Sequence, residues 1–270
     1  MAPHNRFVSL FVLSYGNIYG VPIPEMLPMT SRLARYSLVF AILCALTAIA
    51  SGLGYRWSLW SLGWGFGTLR WAAYGAIVAT ALAVAGAIVS RRNRNGRDFV
   101  SAIIAFLVGA ATFGLPGLML IKAEHLPSIH DITTDTSDPP KFVAVLPLRA
   151  NARNSTDYGG ASIAAQQHQA YPDIAPFYSA FPPDKAFARA IDVARAMGWD
   201  IVGTAPSDGR IEATDTTLLF GFKDDIVIRV SPTPQGSRTD VRSESRIGGS
   251  DVGTNARRIA TFLNKLAKES

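Results

Sequence analysis

The sequence predicts a membrane-anchored α+β protein: three transmembrane helices, then a small antiparallel sheet of about four strands with helices packed on one face. Three observations carry this. Residues 36–54, 71–90 and 99–121 are charge-free apolar runs, each of about 20 residues and so able to cross a hydrocarbon core as helix. The excess of basic over acidic residues lies at the flanks of those runs. The last third alternates polar and apolar residues at a period of two, between turn signals.

The 270 residues carry a net charge of +6, with a pI near 9.6. A nucleic-acid binder has such a balance, but the distribution removes that reading. Residues 1–122 hold ten Lys or Arg and two acids; residues 123–270 hold sixteen and eighteen. The excess therefore flanks the membrane runs, and no basic stripe remains to neutralise a phosphate backbone. The single cysteine, Cys44, sits inside an apolar run and reads as a structural thiol.

Residues 1–30 show no clean period, and they carry Pro22, Pro24 and Pro28. They read as a disordered tail or a mis-called start, with Met26 or Met29 as the true initiator. Residues 31–122 form the three-helix membrane region. Gly114-Leu-Pro-Gly117 predicts a kink in the third helix. Arg91, Arg92, Arg94 and Arg97 crowd the second loop and place it in the cytoplasm, with Arg32 and Arg35 on the same side. The first loop carries Trp57, Trp60, Trp64 and Phe66, an interfacial belt on the outer side. Three spans then leave the N-terminus inside and the C-terminal domain outside the cytoplasm, at a cytoplasmic (inner) membrane.

Residues 123–182 are a proline-rich connection and the start of the soluble domain. Within them 142–148 reads as a short strand and 151–169 as polar and irregular. Residues 183–270 are the α+β core. Pro183 opens a helix to Met197, with Phe187, Ala190, Ile191 and Ala194 on its apolar side. Strands follow at 199–204, 210–220, 225–230 and 238–247. Asp208-Gly209 and Lys223-Asp224 mark turns, and residues 232–236 a longer one. Gly248-Gly249 turns the chain into a closing helix capped by Ser250 or Asp251, with Val252, Ala256, Ile259, Leu263 and Leu266 on one stripe.

That junction carries a resemblance. The run Arg242-Ser243-x-Ser245-Arg246-x-Gly248-x-Ser250-Asp251-x-Gly253-x-Asn255-x-x-Arg258-Ile259 resembles the closing motif of the family known as domain of unknown function 1499. His130-Asp-Ile-Thr-Thr-Asp135 with Pro139-Pro140, the run Tyr171–Pro176, Gly198-Trp199 and Ile211–Asp215 are similar to the same family. The resemblance covers roughly 128–266. It implies a fold and a membrane setting, and no activity or catalytic residue.

Strand parity gathers Glu212, Thr214, Asp225, Arg229, Asp240, Arg242, Glu244 and Arg246 on one sheet face. Two readings of that face stand. One is a solvated surface of cross-strand ion pairs, each worth about 0.2–1 kcal/mol. The other is an anion site built from Arg242, Arg246, Arg229 and Arg258, with Glu212 and Asp240 as acid/base or ion-pair partners. The second requires water to be excluded; the irregular segment 122–182 is the expected cover, with residues 171–176 folded over the face. His125, His130, Asp131, Asp135 and His168 lack the compact spacing of metal ligands, and no nucleophile elbow or phosphate loop occurs. No metal and no cofactor is implied. The expected partners are membrane lipids, envelope proteins and an anionic ligand, not nucleic acid. The leading reading is a non-enzymatic envelope binding or interaction module. The alternatives are an envelope hydrolase acting on an anionic substrate, or an accessory subunit of a membrane complex.

Overall fold

A computed structural model of the chain describes residues 28–268. The expectations for the first residues fall on positions outside that range, apart from the start of the first helix. Three helices long and apolar enough to cross a membrane come first: α1 (Pro28–Arg56), α2 (Leu62–Arg92) and α3 (Gly96–His125). Pro116 lies inside α3, which continues past it as one helix.

The first of two compact units comprises residues up to 47 and residues 71–113. Its helices pack through small residues. Ala41, Ala79, Ala83 and Ala105 are buried together, and a side chain at Gly86 would strike the Ala34 backbone. Small residues allow close helix approach where lipid gives no hydrophobic drive. The α2–α3 end is tied by polar bonds. Asp98, 2% exposed, accepts from Arg35 Nε at 2.8 Å and from Asn95 Nδ2 at 2.7 Å.

The second unit comprises residues 48–70 and 114–270. Its centre is one antiparallel sheet. The strands are β1 (Asp131–Thr133), β2 (Phe177–Ser179), β3 (Asp200–Ala205), β4 (Arg210–Thr216), β5 (Lys223–Thr233) and β6 (Gly236–Ser245). Their order is β1-β6-β5-β4-β3, and β2 pairs with β6 beyond the end of β1. The four long strands are those expected from the alternation. The two short ones were not, since three residues carry too little pattern to declare a period. Buried Gln167 completes the outer edge of β1: its Oε1 accepts from Thr133 N and its Nε2 donates to Thr133 O.

Helices α4 (Gly160–Ala170), α5 (Pro183–Ala196) and α6 (Thr254–Lys268) complete the domain. Ile211, Ala213, Ile226, Ile228 and Val241 point to one side and pack with Ala190 and Val193 of α5 and Ile259 and Phe262 of α6. Trp199 stacks on Phe262 with ring centroids 5.4 Å apart. Asp251 caps α6 as the sequence suggested, accepting from the amides of Gly253 and Asn255.

Four local expectations are corrected. Residues 142–148 are not a strand: a turn there leads into a short 3-10 helix, Leu146–Arg149. Residues 151–169 are not wholly irregular, because α4 begins at Gly160. Strand β4 ends at Thr216, four residues early, and Lys223-Asp224 belong to β5 rather than to a turn. The β5–β6 connection is a tight two-residue turn, since Thr233 already faces Gly236.

Candidate functional site

The sheet's second face is lined by charged side chains, and the chain itself covers it. After β1, Thr134 bonds β6 through the Val241 backbone and the Asp240 carboxylate. Asp135 then accepts from the amides of Ser137 and Asp138, which turns the chain toward Pro139-Pro140. Phe142 and Val145 pack on Val227, a small apolar island on this face. The cover approaches β3 closely at Gly203, where an added side chain would meet Ala144 at 2.7 Å.

Glu212 anchors the cover. Its carboxylate, 1% exposed, accepts the amides of Val143, Ala144 and Val145 at 2.9, 2.9 and 3.0 Å, and Arg210 Nε lies 3.0 Å away. The amides at the start of the 3-10 turn thus end on a fixed charge. Glu212→Ala leaves those donors without a partner, so the expected loss is about 2–4 kcal/mol. It is checked by hydrogen exchange, in which the Val143–Val145 amides should lose protection before the β5 amides do.

Arg242 of β6, Arg246 just past its end and Arg149 from the cover meet beneath it. Arg242 grips Asp131 with two bonds, 2.9 and 2.8 Å, and donates to the carbonyls of Pro140 and Thr156. Its guanidinium lies over the Phe142 ring, 4.9 Å from the centroid. Asp225, fully buried, accepts from Arg246 twice, from Thr214 Oγ and from Arg149 Nη1. Burial works to raise the Asp225 carboxyl, but the bonds from Arg246, Thr214 and Arg149 hold it below the usual carboxylate range. Arg149 also reaches Glu244 Oε1 at 2.9 Å. Farther along the face, Arg229 and Arg238 share Asp135 and Asp240.

The placement of the expected site residues follows from this. Arg242, Arg246, Arg229, Glu212 and Asp240 do share one face. Arg258 does not: it rises from α6 on the opposite face and pairs with Asp215 and Asp224 at 2.7 and 2.6 Å. Strand parity says nothing of a helical side chain, so its sequence proximity to Arg246 misled. The cover comes from the expected segment, 122–182, but from a different part of it. Tyr171 and Ile174 pack into the helix-side core, and residues 135–158 cover the charged face instead. Arg149, Asp131 and Glu244 complete the network. Strand parity places Glu244 on this face without making it a site residue, whereas Arg149 and Asp131 are absent from the predicted face. Arg149 stands in an irregular stretch, where only a mismatch in charge would have hinted at it.

Asp131 and Asp135, weighed above as ligands, are taken up by arginines, and His168 bonds Thr136. Among the described residues no group of three His, Cys, Asp or Glu is arranged to hold a metal ion. Beside the network lies a cleft of about 190 Å³, lined by Asp138, Pro140, Lys141, Asp208, Arg210 and Arg229. It mixes both signs of charge, and Lys141 is exposed at its edge.

No curated protein matches the chain. The stretch from β1 to the last turn of α6, which contains the sheet, its cover and the closing helix, matches the family described as a protein of unknown function (DUF1499) over residues 131–266, and the chain belongs to that family.

Proposed function

We propose that the chain is a non-enzymatic binding or interaction module of the cell envelope. Its spans hold it in a cytoplasmic membrane, and the C-terminal domain stands outside the cytoplasm. The observation that carries this reading is the use made of the charged face. The groups best suited to act on an anionic substrate, Arg242, Arg246 and Glu212, are turned inward and hold the cover, the arginines through the carbonyls of Pro140, Thr156 and Leu148 and Glu212 through three amides. What the domain offers to its surroundings is its outer surface. Affinity purification from native membranes, with lipid and protein identified together, tests this. A reproducible partner is the expected result; a purified chain that turns over an envelope substrate overturns it.

Topology is supported by Arg91, Arg92, Arg94 and Arg97 around the short α2–α3 connection, which favour the cytoplasmic side. A reporter active only outside the cytoplasm is expected to work when fused after Ser270 and to stay silent near Asn95. The reverse pattern excludes an envelope role.

A second reading has its own observation. Three cations, Lys141, Arg210 and Arg229, line the 190 Å³ cleft against two acids, Asp138 and Asp208, which pair with the arginines. Exposed Lys141 is the donor that favours a small anionic ligand there. Phosphate- and carboxylate-bearing compounds that raise the unfolding temperature of the wild type, and not of Lys141→Ala, support it.

A further inference from the structure

The β4–β5 connection, residues 217–222, reads Thr-Leu-Leu-Phe-Gly-Phe. A hairpin connection of a water-soluble sheet carries turn formers and charge, as Asp208-Gly209 does between β3 and β4. This one carries four large apolar residues and no charge. Leu218 is 85% exposed, the most exposed large apolar side chain among the described residues. Water alone gives no reason to present it.

The loop is nonetheless firmly held, and its holders are the ends of two membrane spans. Phe220 stacks on Phe66 of α2, 5.2 Å between centroids, and on Phe222 at the same distance. Tyr55 of α1 lies 5.8 Å from Phe222 and 6.4 Å from Phe220. Arg56, the last residue of α1, donates to the carbonyls of Thr217 and Leu218. Gly52 leaves room for Leu219, since an added side chain there would meet its Cγ at 2.5 Å. Gly52 lies one helical turn, about 6 Å, inside the end of α1. The loop therefore reaches past the end of the span that holds it. Around it stand Trp57, Leu59 and Trp64, 64%, 69% and 74% exposed. Tryptophans so placed at span ends sit at headgroup level.

We propose that residues 217–222 are a lipid-contacting element: the loop lies in the interface of the bilayer that α1 and α2 cross, with Leu218 directed into the acyl boundary. The occupant is the phospholipid of that membrane, because the patch is continuous with the span ends. Three spans put the α1–α2 hairpin and the C-terminal domain on the same side, whichever side that is. The contact fixes that end of the sheet at the membrane and leaves the β5–β6 turn, at the far end of the strands, toward water. This placement is independent of which partner the domain meets.

The single cysteine makes the test direct. In the full chain with Cys44→Ala, a nitroxide is attached at Leu218→Cys, and the protein is placed in phosphatidylethanolamine/phosphatidylglycerol nanodiscs. Collision with oxygen, which concentrates in lipid, is compared with collision with a water-soluble nickel chelate. Leu46→Cys, whose parent leucine is 56% exposed on α1, is the lipid reference, and Gln235→Cys, exposed in the β5–β6 turn, is the water reference. Oxygen collisions exceeding nickel collisions at position 218, as at position 46, is the expected result. Nickel exceeding oxygen, as at 235, overturns the proposal. So do low collision rates with both, the mark of a site occluded by protein. Leu218 is open on nearly all sides, so the label displaces no packing.

Discussion

Asp225→Ala is expected to cost about 3–5 kcal/mol of the domain's stability, the range for removing one partner of a buried ion pair. Asp225 has no exposed surface, and it receives both Arg149, 4% exposed, and Arg246, 12% exposed. Its loss leaves two guanidinium groups with fewer acceptors under a cover that excludes water. The Arg149 charge, the more deeply buried, cannot recover hydration without opening the cover. Urea unfolding of the full chain in detergent, read by hydrogen exchange at β4, β5 and β6, measures the loss. Arg246→Ala should cost less than Arg149→Ala, because Arg246 reaches the rim. Asp225→Leu and Glu244→Leu combined with Arg149→Met and Arg246→Met should regain most of the loss, since Arg149 also serves buried Glu244 and only an apolar replacement of all four removes the desolvation cost along with the attraction. A cost below about 1 kcal/mol for Asp225→Ala would match an exposed pair and would mean that the cover admits water.

Much of this arrangement is legible in the residues. Ile211, Ala213, Ile226, Ile228 and Val241 alternate with Glu212, Asp225, Arg229, Asp240 and Arg242. Period two therefore assigns every one of them to its face before any coordinate is known. The α6 cap is equally plain, because Asp251 stands where free amides need an acceptor. The cover is not legible. Its defining contacts are three backbone amides on Glu212 and one arginine, Arg149, crossing to Asp225 and Glu244. Amides carry no side-chain signature, and Arg149 sits outside any period. The two readings of the charged face, solvated pairs or a ligand site under a cover, therefore missed which residues cover it and that they fill the face themselves. The loop at 217–222 is hidden for the opposite reason. Its apolar residues extend the pattern of β4 and read as more strand, whereas they pack on Tyr55 and Phe66, far away in sequence.

The domain's stability should fall as pH rises from the ordinary carboxylate range toward 8, and Glu244 is the cause. On β6 it stands between two other acids, facing Asp131 on β1 and Asp225 on β5. Arg149 serves its Oε1, while Oε2 is buried without a partner. Burial pushes its carboxyl up to about 8; Arg149 offsets part of this, and the charge of Asp131 adds to it. The sign follows from proton binding. Between the ordinary value of 4.5 and about 8, the folded chain holds a proton on Glu244 that the unfolded chain has released. Stability then falls with rising pH by up to about 1.4 kcal/mol per unit. Above about 8 the decline stops, because both states are ionised. Asp251, raised by burial despite its bonds to Asn255 and Gly253, adds a fall of the same sign. Asp225 and Asp135 act oppositely. Burial opposes their ionisation, but their hydrogen bonds and arginine partners hold both carboxyls low, so the stability they confer is lost as pH falls through the carboxylate range. Glu244→Gln separates these terms. The amide keeps an oxygen for Arg149 and stays neutral at every pH, as the protonated acid is. Unfolding measured from pH 4 to 9 should lose most of its alkaline decline in this variant and keep its acid limb. At pH 8 the variant should be the more stable protein, by a margin that vanishes near pH 5. An unchanged slope, or a wild type that gains stability from pH 5 to 8, would mean that Glu244 is ionised in the fold and that Arg149, with Arg242 behind it, outweighs the two flanking acids.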